Sequence, residues 1–207
     1  KYDVMVIGLC CDVTKSSEVN ETVNVVIREF GRIDILVNNA GIITARPLLE
    51  IKEEEWDAVM DVNAKGVFLF TKAVLPHMLK QGWGRIINIA SIAGKGGYAD
   101  LTHYCASKYA VIGFTKALSK ELADKGITVN AICPGIVNTH MWSACLTMKW
   151  SKPGETLDEA FRRIVREMIP QGVDQTAEDM GKLAVFLTTQ SHVTGQAINV
   201  DGGHAAY

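Results

Sequence analysis

The sequence predicts an α/β protein: a doubly wound parallel sheet with helices on both of its faces. Three observations carry this expectation. Short apolar runs alternate along the chain with stretches of helical period. The helical stretches exceed ten residues, the length that a crossover between parallel strands requires. Each apolar run ends on polar or turn-forming residues: Asp12, NNAG (38–41), Ser91 and Pro134-Gly135. Such crossovers are right-handed, and ligands of such sheets sit beyond the carboxyl ends of the strands. Function is therefore sought in the segments directly after each run.

Residues 3–11 (DVMVIGLCC) read as a buried strand that stops at Asp12, with Thr14 or Ser16 available to cap the next element. Val19, Val23, Val26, Ile27 and Phe30 fall at i, i+4, i+7, i+8 and i+11, one face of a helix that Gly31 closes. Residues 33–38 (IDILVN) form the second strand. A long helix is expected from about 53 to 79, with Pro76 bending or ending it. Residues 85–90 (RIINIA) make the third strand, and 102–123 a helix with Gly126 beyond its end. Residues 127–133 (ITVNAIC) make the fourth strand, broken by Pro134-Gly135. The segment from 137 to 170 is expected to be irregular at first and helical from Thr156 to Met168. A helix over 177–189 and a last strand over 197–200 precede Asp201-Gly202-Gly203.

The chain of 207 residues, 48% hydrophobic, suits a single domain. Its 21 basic and 23 acidic residues leave a net charge of −2, with no basic excess to hold nucleic acid or an anionic membrane. No apolar run approaches the roughly 18 residues of a membrane span, and the first residues lack the layout of a secretory signal. The five cysteines, at 10, 11, 105, 133 and 145, include no C-x-x-C pair. An odd, unpatterned set speaks against a disulfide framework or a zinc cage. The expectation is a cytoplasmic protein with buried thiols, no metal and a small-molecule substrate.

Tyr104 and Lys108 stand four apart in a predicted helix, so they share a face. An ammonium near a phenol favours the phenolate and turns a poor base into a usable one. Alone, Y-x-x-x-K is a common surface pair; its small neighbours Cys105, Ala106 and Ser107 leave room for another group to approach. Ser91 ends the third strand thirteen residues before Tyr104, where its hydroxyl can donate to a substrate oxygen. Asn63 is an unfavourable residue inside a helix and is read as kinking it and freeing a carbonyl for a water.

NNAG, an Asn within a helix, S-x12-Y, Y-x-x-x-K and P-G-x-x-x-T occur in that order, each after the right element. On these motifs, and on the phrases IINIASIAG (86–94), ITVNAICPG (127–135) and TGQAINVDGG (194–203), the whole chain resembles the short-chain dehydrogenase/reductase family. The resemblance implies a Rossmann-like fold and interconversion of an alcohol and a ketone with a nicotinamide cofactor. It implies that Tyr104 is the general acid/base, that Lys108 tunes it and holds the nicotinamide ribose, and that Ser91 orients the substrate oxygen. Asn63 would anchor a proton relay running to Lys108. Asp12 and Val13 would lie against the adenine, and Asn38, Ala40 and Gly41 would line the adenosine ribose. Pro134, Gly135, Val137 and Thr139 would border the nicotinamide. Homotetramers built partly on helices around 63–79 and 102–123 are also implied.

One departure is large. The strand, glycine-rich turn and helix that open such domains, and the strand after them, have no counterpart here; Gly8 sits alone. The chain over 1–207 is therefore read as one domain that lacks its first βαβ unit. As it stands it is expected to bind a dinucleotide weakly or not at all and to expose a strand edge. The segment that separates NAD from NADP belongs to that unit; NAD is the expected cofactor by a small margin.

A substrate lid is expected over about 138–170. Met141, Trp142, Leu146, Met148 and Trp150 would supply an apolar lining, and Tyr98 and His103 would supply hydrogen bonds. The stretch from Pro134 to Trp142 resembles acetoin and 2,3-butanediol reductases, which implies a small diol, polyol or acetoin-like substrate. The alternative is a 3-oxoacyl-(acyl-carrier-protein) reductase, with Arg162, Arg163 and Arg166 as a basic patch for the acidic carrier. A non-catalytic dinucleotide sensor or scaffold would be expected to have lost Ser91, Tyr104 or Lys108, and all three are intact.

Overall fold

The computed structural model describes residues 4–205. Four strands lie parallel in sequence order: β1 (Ile35–Asn38), β2 (Gly84–Ile89), β3 (Ile127–Pro134) and β4 (Ala197–Val200). On one face pack α1 (Ser16–Phe30), α3 (Gly66–Gln81) and α4 (Thr102–Glu121); α7 (Ala177–Thr189) covers the other. Side chains of a strand alternate between faces. Ile86 accordingly joins Val23, Val74, Met78, Leu118 and Val129 on the first face. Its neighbour Ile87 joins Ile132 and Leu187 on the second.

Local chemistry sets several of the ends. Gly82 takes the left-handed conformation (φ 65°) that stops α3. Before α6 (Leu157–Met168), Thr156 and Glu159 form a reciprocal capping box, and before α7 Thr176 and Asp179 form another.

Four expectations are corrected. Residues 4–11 form no strand, and Asp3 lies outside the described residues. A strand needs a ladder to satisfy its backbone, and no described strand pairs with this run. Val4, Met5 and Val6 stand 68%, 64% and 79% exposed. The α1 cap is Lys15, without a side-chain bond, because Thr14 turns back to donate through N and Oγ1 to Asp12 Oδ1 at 3.0 and 2.7 Å. Pro76 does not stop α3, which runs on to Gln81. Burial of Val74 and Met78 on either side of it outweighs the one backbone bond a proline removes. Finally, the chain after Thr139 is helical, with a wide turn over Trp142–Thr147 leading into α5 (Met148–Trp150). A wide turn breaks the 3.6-residue period by which a helix is recognised in sequence.

A second wide turn, Asp61–Lys65, joins α2 (Glu53–Met60) to α3 and carries Asn63. The strands and these two turns bring the ends of β1, β2 and β3 to one side of the sheet.

Met78 is fully buried at the centre of the first face. Met78→Ala is expected to lower unfolding stability by about 2–5 kcal/mol, read from urea denaturation. A loss below about 1 kcal/mol would place the core elsewhere.

Candidate active site

A cavity of about 650 Å³ opens beyond the carboxyl ends of β2 and β3. Ser91, Tyr104 and Lys108 line it, together with Asn39–Gly41, Pro134–Val137, Thr139 and the aromatic residues of the following helical segment.

Ser91 is placed by the short turn that follows β2. It caps this turn, its Oγ accepting from Ala93 N at 3.1 Å. The turn lies flush against α4: a Cβ on Gly94 would stand 2.7 Å from the Lys108 carbonyl oxygen and 2.8 Å from Ile112 Cδ1. Only glycine permits that approach, and it brings Ser91 onto the α4 face that carries Tyr104 and Lys108. The Ser91 hydroxyl and the Tyr104 phenol face the same cavity, near enough for the serine to favour the ionised phenol.

Burial dominates the acid–base properties of the pair. Tyr104 is 8% exposed. Desolvation pushes its phenol up to about 12, partly opposed by the Ser91 hydroxyl. Desolvation also brings Lys108 down to about 8. Burial therefore outweighs the lowering of Tyr104 expected from Lys108. The ammonium sits 5.6 Å from the phenol ring centroid and donates to the Ile89 carbonyl at 2.9 Å. Each group is held towards its neutral form.

Asn63, 1% exposed, ties the surrounding loops together. Its Oδ1 accepts from Ile42 N at 2.8 Å, and its Nδ2 donates to the Ile42 carbonyl at 2.9 Å and to Ser107 Oγ at 3.0 Å. Ser107 Oγ donates onward to the Tyr104 carbonyl at 2.7 Å. A Cβ on Gly41 would lie 3.4 Å from Asn63 Oδ1 and 3.6 Å from Lys108 Nζ, so the NNAG turn, the wide helical turn and α4 meet here.

Of the other residues singled out in the sequence, Tyr98, Ala40, Gly41, Pro134, Gly135, Val137, Thr139, Met141, Trp142, Leu146 and Trp150 line the cavity. Val13 and Ala40 border a smaller hollow of about 230 Å³ beside Asn38 and Asn39. Several side chains are engaged elsewhere. Asn38 Nδ2 donates to Thr71 Oγ1 at 3.2 Å and to Asn88 Oδ1 at 2.8 Å, and Asn88 Nδ2 donates to Thr115 Oγ1 at 2.9 Å. This buried amide ladder lies between the sheet and its helices. Asp12 binds Thr14 and Lys15 at the surface. His103 is fully buried away from the cavity wall, its Nε2 bonded with Thr44 Oγ1 at 2.6 Å. Met148 is 59% exposed and does not line this cavity. Arg163 is committed to Glu155 at 2.7 Å and Glu167 at 3.0 Å, leaving Arg162 and Arg166 exposed.

Ile136, Met180 and His204 also line the cavity and were not singled out. For His204 the legible signal was the pair of glycines before it, which folds the chain back.

The Lys108 shift carries a stability consequence. Its folded value lies near 8 and its ordinary value at 10.5, so between these the unfolded chain binds more protons. Stability then rises with pH across that window. From pH 7.5 to 10 the protein is expected to gain about 2–3 kcal/mol relative to Lys108→Met, read from urea midpoints. Parallel pH profiles would show that Lys108 is not desolvated.

The model of the short chain dehydrogenases matches residues 1–150. A 3-oxoacyl-(acyl-carrier-protein) reductase of Thermotoga maritima is 43% identical over 93% of this chain and 74% of its own. A D-beta-hydroxybutyrate dehydrogenase of Cupriavidus necator is 38% identical over 94% of this chain and 76% of its own. Among solved structures, a variant of actinorhodin polyketide ketoreductase with NADPH superposes with a TM-score of 0.90 at 41% identity, covering 95% of this chain and 77% of the other. With its parallel sheet and with a matching sequence that spans nearly its whole length, the chain belongs to the short-chain dehydrogenase/reductase family of nicotinamide-dependent oxidoreductases.

Proposed function

We propose that the protein reduces the 3-oxo group of an acyl thioester, with NADPH as the hydride donor. The observation that carries this reading is the contrast within one cavity. Two hydroxyls, Ser91 and Tyr104, lie in a chamber walled by Ile43, Met141, Trp142, Leu146 and Trp150. A polyol carries a hydroxyl on nearly every carbon and would leave most of them unpaired against such walls, at a cost per group of about 1–3 kcal/mol. An acyl chain loses nothing there. The diol, polyol or acetoin-like substrate therefore gives way to the 3-oxoacyl alternative, which the Thermotoga relative also supports. NADPH replaces the expected NAD because the ketoreductase neighbour is described with it.

The residues present fit the nicotinamide half of that cofactor. The buried Lys108 Nζ and the Asn39–Gly41 backbone would hold its ribose, and Pro134, Gly135, Val137 and Thr139 would border the ring. Val13 and Ala40, with Asn38 beneath them and Asp12 alongside, would continue the site towards the adenosine. When bound, the cofactor supplies a hydride to the carbonyl carbon.

The protein supplies the proton. Tyr104, held protonated by burial, donates to the carbonyl oxygen as charge develops there. Ser91 positions that oxygen and then donates to the phenolate left behind. The Lys108 ammonium stabilises the same phenolate, which is an interaction gained only as the proton leaves. Asn63 keeps the Ile42 loop and, through Ser107, the Tyr104 turn of α4 in register. Residues 138–170 act as the lid, with Tyr98, Met141 and Trp142 against the substrate. Exposed Phe68 and Leu79 on α3 and Tyr109 on α4 support self-assembly over those helices.

Tyr104→Phe in the full-length protein is expected to lower kcat for acetoacetyl-thioester reduction by about 100-fold or more. Unchanged turnover would remove the proton-donor assignment. A higher kcat/KM for acetoin or 2,3-butanediol than for the thioester would overturn the substrate class.

A further inference from the structure

The chain after β4 does not trail away from the cavity. Asp201, 7% exposed, gathers it into a tight turn: its carboxylate accepts from Gly203 N at 3.1 Å, Ala205 N at 2.8 Å and Asn199 Nδ2 at 3.3 Å. Gly202 and Gly203 hold φ of 62° and 88°, which a side chain would oppose. Gln171 N donates to the Gly202 carbonyl at 3.2 Å and fastens the turn to the end of α6. So fixed, the turn delivers His204 to the wall of the cavity that holds Ser91 and Tyr104. The imidazole packs edge-on to Tyr98, with centroids 5.8 Å apart.

The chemistry of the ring follows from its surroundings. His204 Nδ1 is sealed from solvent and has no hydrogen-bond partner. A buried bare lone pair is less costly than a buried unpaired N–H, so the proton sits on Nε2. Burial pushes the ring towards its neutral form, and Asp201 opposes this. His204 lies on the cavity wall, so its Nε2–H is the uncharged donor left to meet a ligand there, and such a group is completed by a carbonyl oxygen.

We propose that His204 is a specificity-determining residue that donates through Nε2 to a second, uncharged oxygen of the substrate, the thioester carbonyl beside the reacting ketone. This rests on the acyl-thioester reading and refines it: the site selects neutral 1,3-dicarbonyls over 3-oxo acids. A free carboxylate would lie between a neutral imidazole and apolar walls, with the Asp201 carboxylate behind the turn. The protein would thus differ in substrate charge from its hydroxybutyrate dehydrogenase relative.

The test compares acetoacetyl-N-acetylcysteamine, 2,4-pentanedione, acetoacetate and 2-pentanone as substrates of full-length wild type, His204→Phe and His204→Gln. Phe keeps the packing against Tyr98, and Gln keeps a donor. With His204→Phe, kcat/KM is expected to fall about 10-fold for the thioester and the diketone and to stay within about 2-fold for 2-pentanone. His204→Gln is expected to recover part of the loss. An equal fall for 2-pentanone, or no fall for either dicarbonyl, overturns the proposal. A wild type that reduced acetoacetate better than the neutral dicarbonyls would also overturn it. The diketone separates the two readings: if the thioester were no substrate, the acyl-thioester function would fall while His204 was still judged on 2,4-pentanedione.

Discussion

The contact between Gly94 and the backbone of α4 is the constraint on which the site depends. A turn that follows a strand and a helix that starts eight residues later must touch without an intervening side chain. Where they touch, the end of β2 presents Ser91 to a helix face bearing Tyr104 and Lys108. A methyl group at that contact would wedge sheet and helix apart by the width of an atom. Proton transfer tolerates far less displacement than that. The rest of the molecule holds this contact: the apolar faces of α3 and α4 clamp the helix to the sheet, and Asn63 fixes the loop across from it.

Burial then determines what the assembled groups can do. Burial penalises the charged forms of both Tyr104 and Lys108, and both are drawn towards neutrality. A carbonyl that takes the phenol's proton creates the one anion that the nearby ammonium is placed to stabilise. On the proposed mechanism the site would be poor at holding a separated charge before reaction and good at holding it during reaction, the asymmetry that catalysis needs. The spacing of a tyrosine and a lysine along a helix conveys their shared face but not the depth at which they lie, so the sequence suggested a phenol already made acidic.

Much of the frame was legible because its signals are local. Alternating apolar runs located β1 to β4, and Gly31 marked the end of α1. The motifs around Ser91, Tyr104 and Lys108 converged on one cavity as expected. What escaped was set by partners remote in the chain. The run before Asp12 looked like a strand, yet a strand is defined by its neighbour. Nothing local showed that the Asn38 side chain would bind Asn88 and Thr71, 50 and 33 residues away. His103 looked available until Thr44 was seen to occupy it. The helix after Thr139 was hidden by a turn of unusual width.

The ladder from Asn38 through Asn88 to Thr115 has a consequence beyond its own hydrogen bonds. Side-chain amides paired across adjacent parallel strands are satisfied in only one alignment; sliding β1 along β2 by a residue would turn them to opposite faces and leave both desolvated and unmet. The ladder therefore works as a ruler, fixing how far each strand tip projects. With the tips so indexed, the residues that dress the mouth of the chamber can diversify over generations without disturbing the floor on which the chemistry takes place.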